Sequence, residues 1–139
     1  MISRSLALAE INVGAEASFK RVISKRDIEI FAELSGDFNP LHTDEAYAAT
    51  TELAGIVVHG MLLGALVSRL IGMDLPGKKA LLVKETLEFK APVRIGDELT
   101  ISGLVTGKSI SVRILEITIT INSERGVVVT GQAFVKVLT

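Results

Sequence analysis

Apolar and polar positions along this chain follow two different periods. In the N-terminal half the period is helical. Ile28, Phe31, Ala32 and Leu34 recur at the spacing of one helix face. Ser24 precedes them as an N-cap, with Asp27 three residues on in the capping-box position usually held by Glu or Gln. Ser35-Gly36 supplies a terminator, and Asn39-Pro40 then requires an extended or turn conformation. Thr43 or Asp44 caps a short second helix through Glu45, Tyr47 and Ala48. From about Val58 to Met73 the chain is almost uncharged, and Gly72, Pro76 and Gly77 close the run. A helix apolar on every side belongs at the centre of a globular fold.

The C-terminal half alternates with period two. Residues 80–90 place Leu82, Lys84, Thr86, Glu88 and Lys90 on one face, and Leu81, Val83, Glu85, Leu87 and Phe89 on the other. Ile95-Gly96-Asp97 is a turn, and strands are predicted over 98–106, 110–121 and 127–138. Asn122 to Gly126 links the last two as a hairpin loop. With residues 17–23 as a first strand, the pattern predicts about five antiparallel strands around one long apolar helix. Helices and strands are segregated along the chain, so the class is α+β. No repeat, low-complexity tract or linker interrupts it, and residues 1–139 are expected to form a single domain.

Composition narrows the function. Fifteen Lys and Arg against sixteen Asp and Glu leave a net charge of −1, with no electrostatic footprint for nucleic acid. The chain has no cysteine, hence no thiolate nucleophile, disulfide or thiolate metal site, and its two histidines cannot form an all-histidine zinc centre. The start lacks the apolar run of a signal peptide, and the longest apolar stretch falls short of the roughly 20 residues of a membrane span. A soluble cytoplasmic protein without membrane contact is expected.

One segment departs from what folding alone requires. Ser35-Gly36-Asp37-Phe38-Asn39-Pro40-Leu41-His42 holds an acid, an amide, a rigid proline and an imidazole just past a helix end. Taken alone, it also reads as an ordinary turn, with Asp37 and Asn39 in local hydrogen bonds and His42 at the surface. Its companion changes the weighing. Val57-Val58-His59-Gly60-Met61-Leu62-Leu63-Gly64 opens the apolar helix with a glycine in its first turn. The first N–H groups of a helix lack internal partners and carry the positive end of its dipole, a ready site for a developing oxyanion. Paired acid and base beside such a donor suit proton chemistry next to a carbonyl. His59 reads as a packed, hydrogen-bonded residue supporting the loop. Lys84, Lys90 and Arg94 read as a solvated face, with contact to phosphates as the lesser alternative.

These residues resemble the MaoC-like (R)-specific enoyl-CoA hydratases of the hot-dog fold. The resemblance rests on Phe31 to His42, Val57 to Leu63, Phe89-Lys90-Ala91-Pro92-Val93, Ile95-Gly96-Asp97 and Val129-Thr130-Gly131-Gln132-Ala133, in order and over nearly the whole chain. Leu53-Ala54-Gly55-Ile56 departs from it, lacking the proline that often precedes the Ile or Val. The resemblance implies that Asp37 and His42 hold a water over the double bond of a trans-2-enoyl-CoA. His42 takes its proton as it attacks C3, Asp37 protonates C2, and the Gly60 N–H binds the thioester oxygen. Asn39 shapes the loop or bonds the thioester region, and Ser68, Ile71 and Phe134 match acyl-pocket positions. No metal or redox cofactor is implied, and the expected assembly is a homodimer or larger homo-oligomer. Two alternatives share the fold: a dehydratase acting on acyl-carrier-protein thioesters, and a non-catalytic acyl-CoA binder. A hot-dog thioesterase is disfavoured, because residues 57–73 carry no carboxylate.

Overall fold

The structure, a computed structural model, describes residues 1–139. After a short 3-10 turn at Leu8–Glu10 come strand β1 (Glu16–Val22) and helix α1 (Lys25–Ser35). Two short helices, α2 (Pro40–Thr43) and α3 (Glu45–Thr50), lead to the long helix α4 (Gly60–Met73). Strands β2 (Ala80–Phe89), β3 (Glu98–Ser109), β4 (Ile114–Ser123) and β5 (Gly126–Val137) complete one antiparallel sheet of order β1-β3-β4-β5-β2. This is the α+β hot-dog arrangement expected from the sequence.

The sheet buries one face under α4. Leu99, Ile101 and Val105 of β3, the run Leu115, Ile117, Ile119 and Ile121 of β4, and Ala133, Val135 and Val137 of β5 alternate with wetter neighbours. Val67, Leu70 and Ile71 of α4 meet them. Close approach depends on Gly103, where a Cβ would stand 3.0 Å from Leu70 and from Ile117.

Several boundaries differ from the sequence pattern. Ser24 and Asp27 form the reciprocal capping box, and Gly36 ends α1 at φ 77°. Residues 40–43 form a helical turn because Pro40 occupies its first position and the Asn39 side chain caps it. Helix α4 begins at Gly60 rather than Val58, since the Val58 N–H is engaged by the Val93 carbonyl. Residues 110–113 turn instead of opening a strand, with Arg113 at φ 58°. The β4–β5 connection is tighter than expected, because Ser123 already pairs with Gly126. In β2 the register slips between Leu82 and Lys84, a bulge that breaks strict alternation. Leu82, opposite buried Val135, joins Glu85 and Leu87 on the α4 side, while Leu81 and Val83 are exposed.

Candidate active site

A relay of short-range hydrogen bonds shapes the Asp37–His42 loop. The Gly36 N–H bonds to the Ala32 carbonyl as α1 ends, and the Ser35 hydroxyl accepts the Asp37 N–H at 3.1 Å. Asp37 Oδ1 accepts the Asn39 N–H at 3.1 Å, and Asn39 Oδ1 accepts the Leu41 N–H at 3.0 Å. Each side chain thus caps the peptide two residues on, which suits Ser, Asp and Asn in a turn. Pro40 freezes the step between them, and the following turn of helix delivers His42.

Residues 57–60 form the opposite wall. The Val57 N–H bonds to the Leu41 carbonyl at 3.3 Å, and the Val57 carbonyl accepts a hydrogen bond from His42 Nδ1 at 2.7 Å. A carbonyl can only accept, so Nδ1 of the neutral ring carries the proton and Nε2 keeps its lone pair for a water or substrate. His59 is buried, stacks on His42 with ring centroids 4.0 Å apart, and donates from Nε2 to the Asp37 carbonyl at 3.0 Å. Side-chain ligand atoms of Asp37, His42 and His59 all lie within 4.8 Å of one another. His59 has one nitrogen on the Asp37 carbonyl and the other sealed from solvent. That leaves two accessible donors, fewer than the three protein ligands typical of a catalytic metal centre.

Gly60 is the first residue of α4, so its N–H has no acceptor within the helix. It borders a cleft of about 380 Å³ walled by Val57, Val58, Leu63, Phe89 and Pro92, which neither Asp37 nor His42 lines. A hollow of about 410 Å³ on the outer sheet face, against Ser18, Ser102 and Thr120, lies away from the acid and imidazole and holds no such chemistry.

The residues anticipated from sequence fall into two groups. Asp37, Asn39 and His42 come together where the loop runs into α2, and Gly60 follows His59, the residue whose ring stacks on His42. Ser68, Ile71 and Phe134 are not brought together within the chain. Ser68 is exposed on α4, Ile71 is buried in the core, and Phe134 pairs with Glu116 on the outer face of the sheet. Period two explains that placement: Ala133 and Val135 face α4, so Phe134 cannot.

Two contributors escaped the sequence reading. Arg94 is not solvated: its guanidinium donates to the carbonyls of Gly55 at 2.9 Å and Ile56 at 3.1 Å, and also to that of Leu53. It thereby holds the proline-free segment that leads to His59 and Gly60. Glu85 reaches from β2 to Gly64 of α4, where Oε1 is buried without a partner and burial pushes the carboxyl above its ordinary range. A carboxyl therefore does stand over the central helix, contributed by the strand. Alternation had put Glu85 on the dry face, but its contact with α4 depends on packing that no local pattern encodes.

The five-stranded antiparallel sheet packed on α4 defines a hot-dog protein, and the loop running into α2 brings an acid and an imidazole together. Comparison with known proteins agrees. A family model described as MaoC like domain matches residues 8–127. The (R)-specific enoyl-CoA hydratase of Aeromonas caviae is 41% identical over 132 residues, spanning 94% of this chain and 98% of the relative. The enzyme of that name from Rhodospirillum rubrum is 41% identical over 128 residues, 92% and 89% of the two chains. In structure, the unliganded R-hydratase of Pseudomonas aeruginosa superposes with a TM-score of 0.91 at 36% identity, covering 98% of this chain and 88% of the other. This chain belongs to the MaoC-like family. No helix of it is long and apolar enough to cross a membrane.

Proposed function

We propose that the protein is an (R)-specific enoyl-CoA hydratase, a hydro-lyase that adds water to a trans-2-enoyl-CoA to give the (R)-3-hydroxyacyl-CoA. The observation that carries this reading is the 2.7 Å bond from His42 Nδ1 to the Val57 carbonyl, which leaves Nε2 basic beside Asp37. His42 Nε2 accepts a proton from water as its oxygen bonds to C3. The C2–C3 π electrons move toward the thioester carbonyl, and the Gly60 N–H hydrogen-bonds the negative charge gathering on its oxygen. Asp37, which enters the step as the neutral acid, delivers its proton to C2 as the carbonyl re-forms, and the proton now on His42 passes to the Asp37 carboxylate to restore the pair. The division of labour between His42 and Asp37 follows the family resemblance. One well-placed oxyanion donor is worth about 3 kcal/mol of barrier. The acyl-pocket roles of Ser68, Ile71 and Phe134 rest on the family resemblance alone, since the single chain does not bring the three together. No metal or redox group takes part.

A homodimer in the cytoplasm is the proposed state. Strand β2 is a sheet edge carrying exposed Leu81 and Val83, and α4 exposes Met61 beside it, as a surface awaiting a second copy would. Loss of enoyl absorbance from crotonyl-CoA, with chiral analysis of the product, tests the activity, and an S product would overturn the (R)-specific reading. A dehydratase of carrier-protein thioesters is the second reading. A mitochondrial 3-hydroxyacyl-[acyl-carrier-protein] dehydratase of Arabidopsis thaliana is 42% identical, but over only 89 residues and 52% of its own length. Offering one enoyl chain on CoA and on carrier protein separates the two, and preference for CoA is expected.

A further inference from the structure

We infer that His59 is the positioning residue of this site, fixing the Asp37–His42 pair relative to the Gly60 donor through its Nε2–H. The inference rests on the hydratase reading for its kinetic consequence, but not for its geometry.

His59 touches every part of the arrangement. As the N-cap residue of α4 it immediately precedes Gly60, and its carbonyl accepts the Leu62 N–H at 3.1 Å. Its Nε2–H holds the Asp37 carbonyl at 3.0 Å, while its ring is a plate beneath His42 at 4.0 Å. Phe31 of α1 closes another side, with ring centroids 4.9 Å apart. The residue is 1% exposed, yet its Nδ1 finds no hydrogen-bond partner. A buried unpaired acceptor is destabilising, and an apolar ring would fill the space without it. What an apolar ring cannot supply is the bond to the Asp37 carbonyl. That bond fixes the main chain of the acid, while Asn39 fixes its carboxylate from the other side. Because Asp37 and Gly60 belong to different segments, their spacing depends on a link of this kind, and small errors in that spacing lower turnover steeply.

The test has two arms. The chain contains only two histidines, so its ¹⁵N imidazole spectrum at a pH where both rings are neutral has only two spin systems. One Nδ1–H tautomer, from His42, and one Nε2–H tautomer, lost in His59→Gln, are expected. An Nδ1–H tautomer at His59 would overturn the inference whatever the kinetics. In the second arm, His59→Gln places an amide N–H near the position of Nε2, whereas His59→Phe keeps the plate and loses the donor. Phe is expected to lower kcat at least tenfold with KM nearly unchanged, and Gln to recover most of that loss. A merely space-filling His59 predicts the reverse order, Phe active and Gln impaired. If the wild type hydrates no enoyl thioester, the functional reading fails, while the tautomers still decide the positioning role.

Discussion

Replacing Gly60 by alanine tests the oxyanion donor against a clash of known direction. A Cβ at this position would stand 3.0 Å from Cζ and 3.1 Å from Cε1 of Phe89, where ordinary contact begins at 3.4 Å. The two must separate by about 0.4 Å. Gly60 is the first residue of α4, where the interior preference of roughly 1 kcal/mol for alanine applies only in part, so the melting temperature should hold. Activity should not. Either the start of α4 shifts, carrying its first N–H groups, or the half-exposed Phe89 ring moves into the cleft it lines. Complete loss of a donor costs about 10²–10³ in kcat, and a misplacement of 1 Å about 10². A displacement of 0.4 Å therefore predicts a loss of roughly tenfold in kcat/KM for crotonyl-CoA hydration. Adding Phe89→Leu removes the clashing ring atoms and should restore at least threefold. Wild-type activity in Gly60→Ala would show that this amide needs no tight placement. A loss that Phe89→Leu leaves untouched would mean that the new methyl obstructs substrate directly.

Other consequences concern the fold. Burial holds the Glu85 carboxyl above its ordinary value of 4.5, so the folded state binds its proton more tightly than the unfolded state. The stability this group contributes is present below that value and disappears as pH rises through the folded one. Glu85→Gln should gain on the wild type in unfolding free energy between pH 4 and pH 8, by no more than about 1 kcal/mol given solvent on its open side; a constant difference would contradict the assignment. Burial also pushes Asp27 upward, but hydrogen bonds from Ser24 and Arg21 outweigh it and hold the carboxyl below 3.8. Its stabilisation is complete above that value and lost as pH falls through the lower folded one. Ser24→Ala should cost about 1 kcal/mol in denaturant unfolding, and no change would mean that the capping box contributes nothing. At Gly131 a Cβ would overlap the Thr86 carbonyl, so Gly131→Ala should loosen β2 from β5 and cost about 3 kcal/mol in thermal melts.

What the sequence discloses here is what local chemistry controls. Ser24, Asp27 and Gly36 announce α1 because capping and a positive φ are local needs. The alternation of β3, β4 and β5 is legible because one face of the sheet is covered along its length. Asp37 and Asn39 serve the turn itself, and the segment stands out because His42 follows them across Pro40 and Gly60 opens the apolar helix beyond. The remainder depends on contacts distant in sequence. The β2 bulge is a matter of pairing with β5, and the Arg94 bonds reach back about 40 residues to the loop before α4. The unpaired Nδ1 of His59 is visible only once Phe31 and His42 pack against its ring. The acyl-pocket assignment is the part least served by one chain, since Ser68, Ile71 and Phe134 lie in three different environments.

The most direct test of the central claim is the turnover of crotonyl-CoA by wild type, Asp37→Asn and His42→Ala, with the folding of each followed by circular dichroism. The wild type should yield the (R)-3-hydroxy thioester, and each folded variant should lose at least about 10²-fold in kcat, the span of general acid–base catalysis. Folded variants that keep wild-type turnover would contradict it.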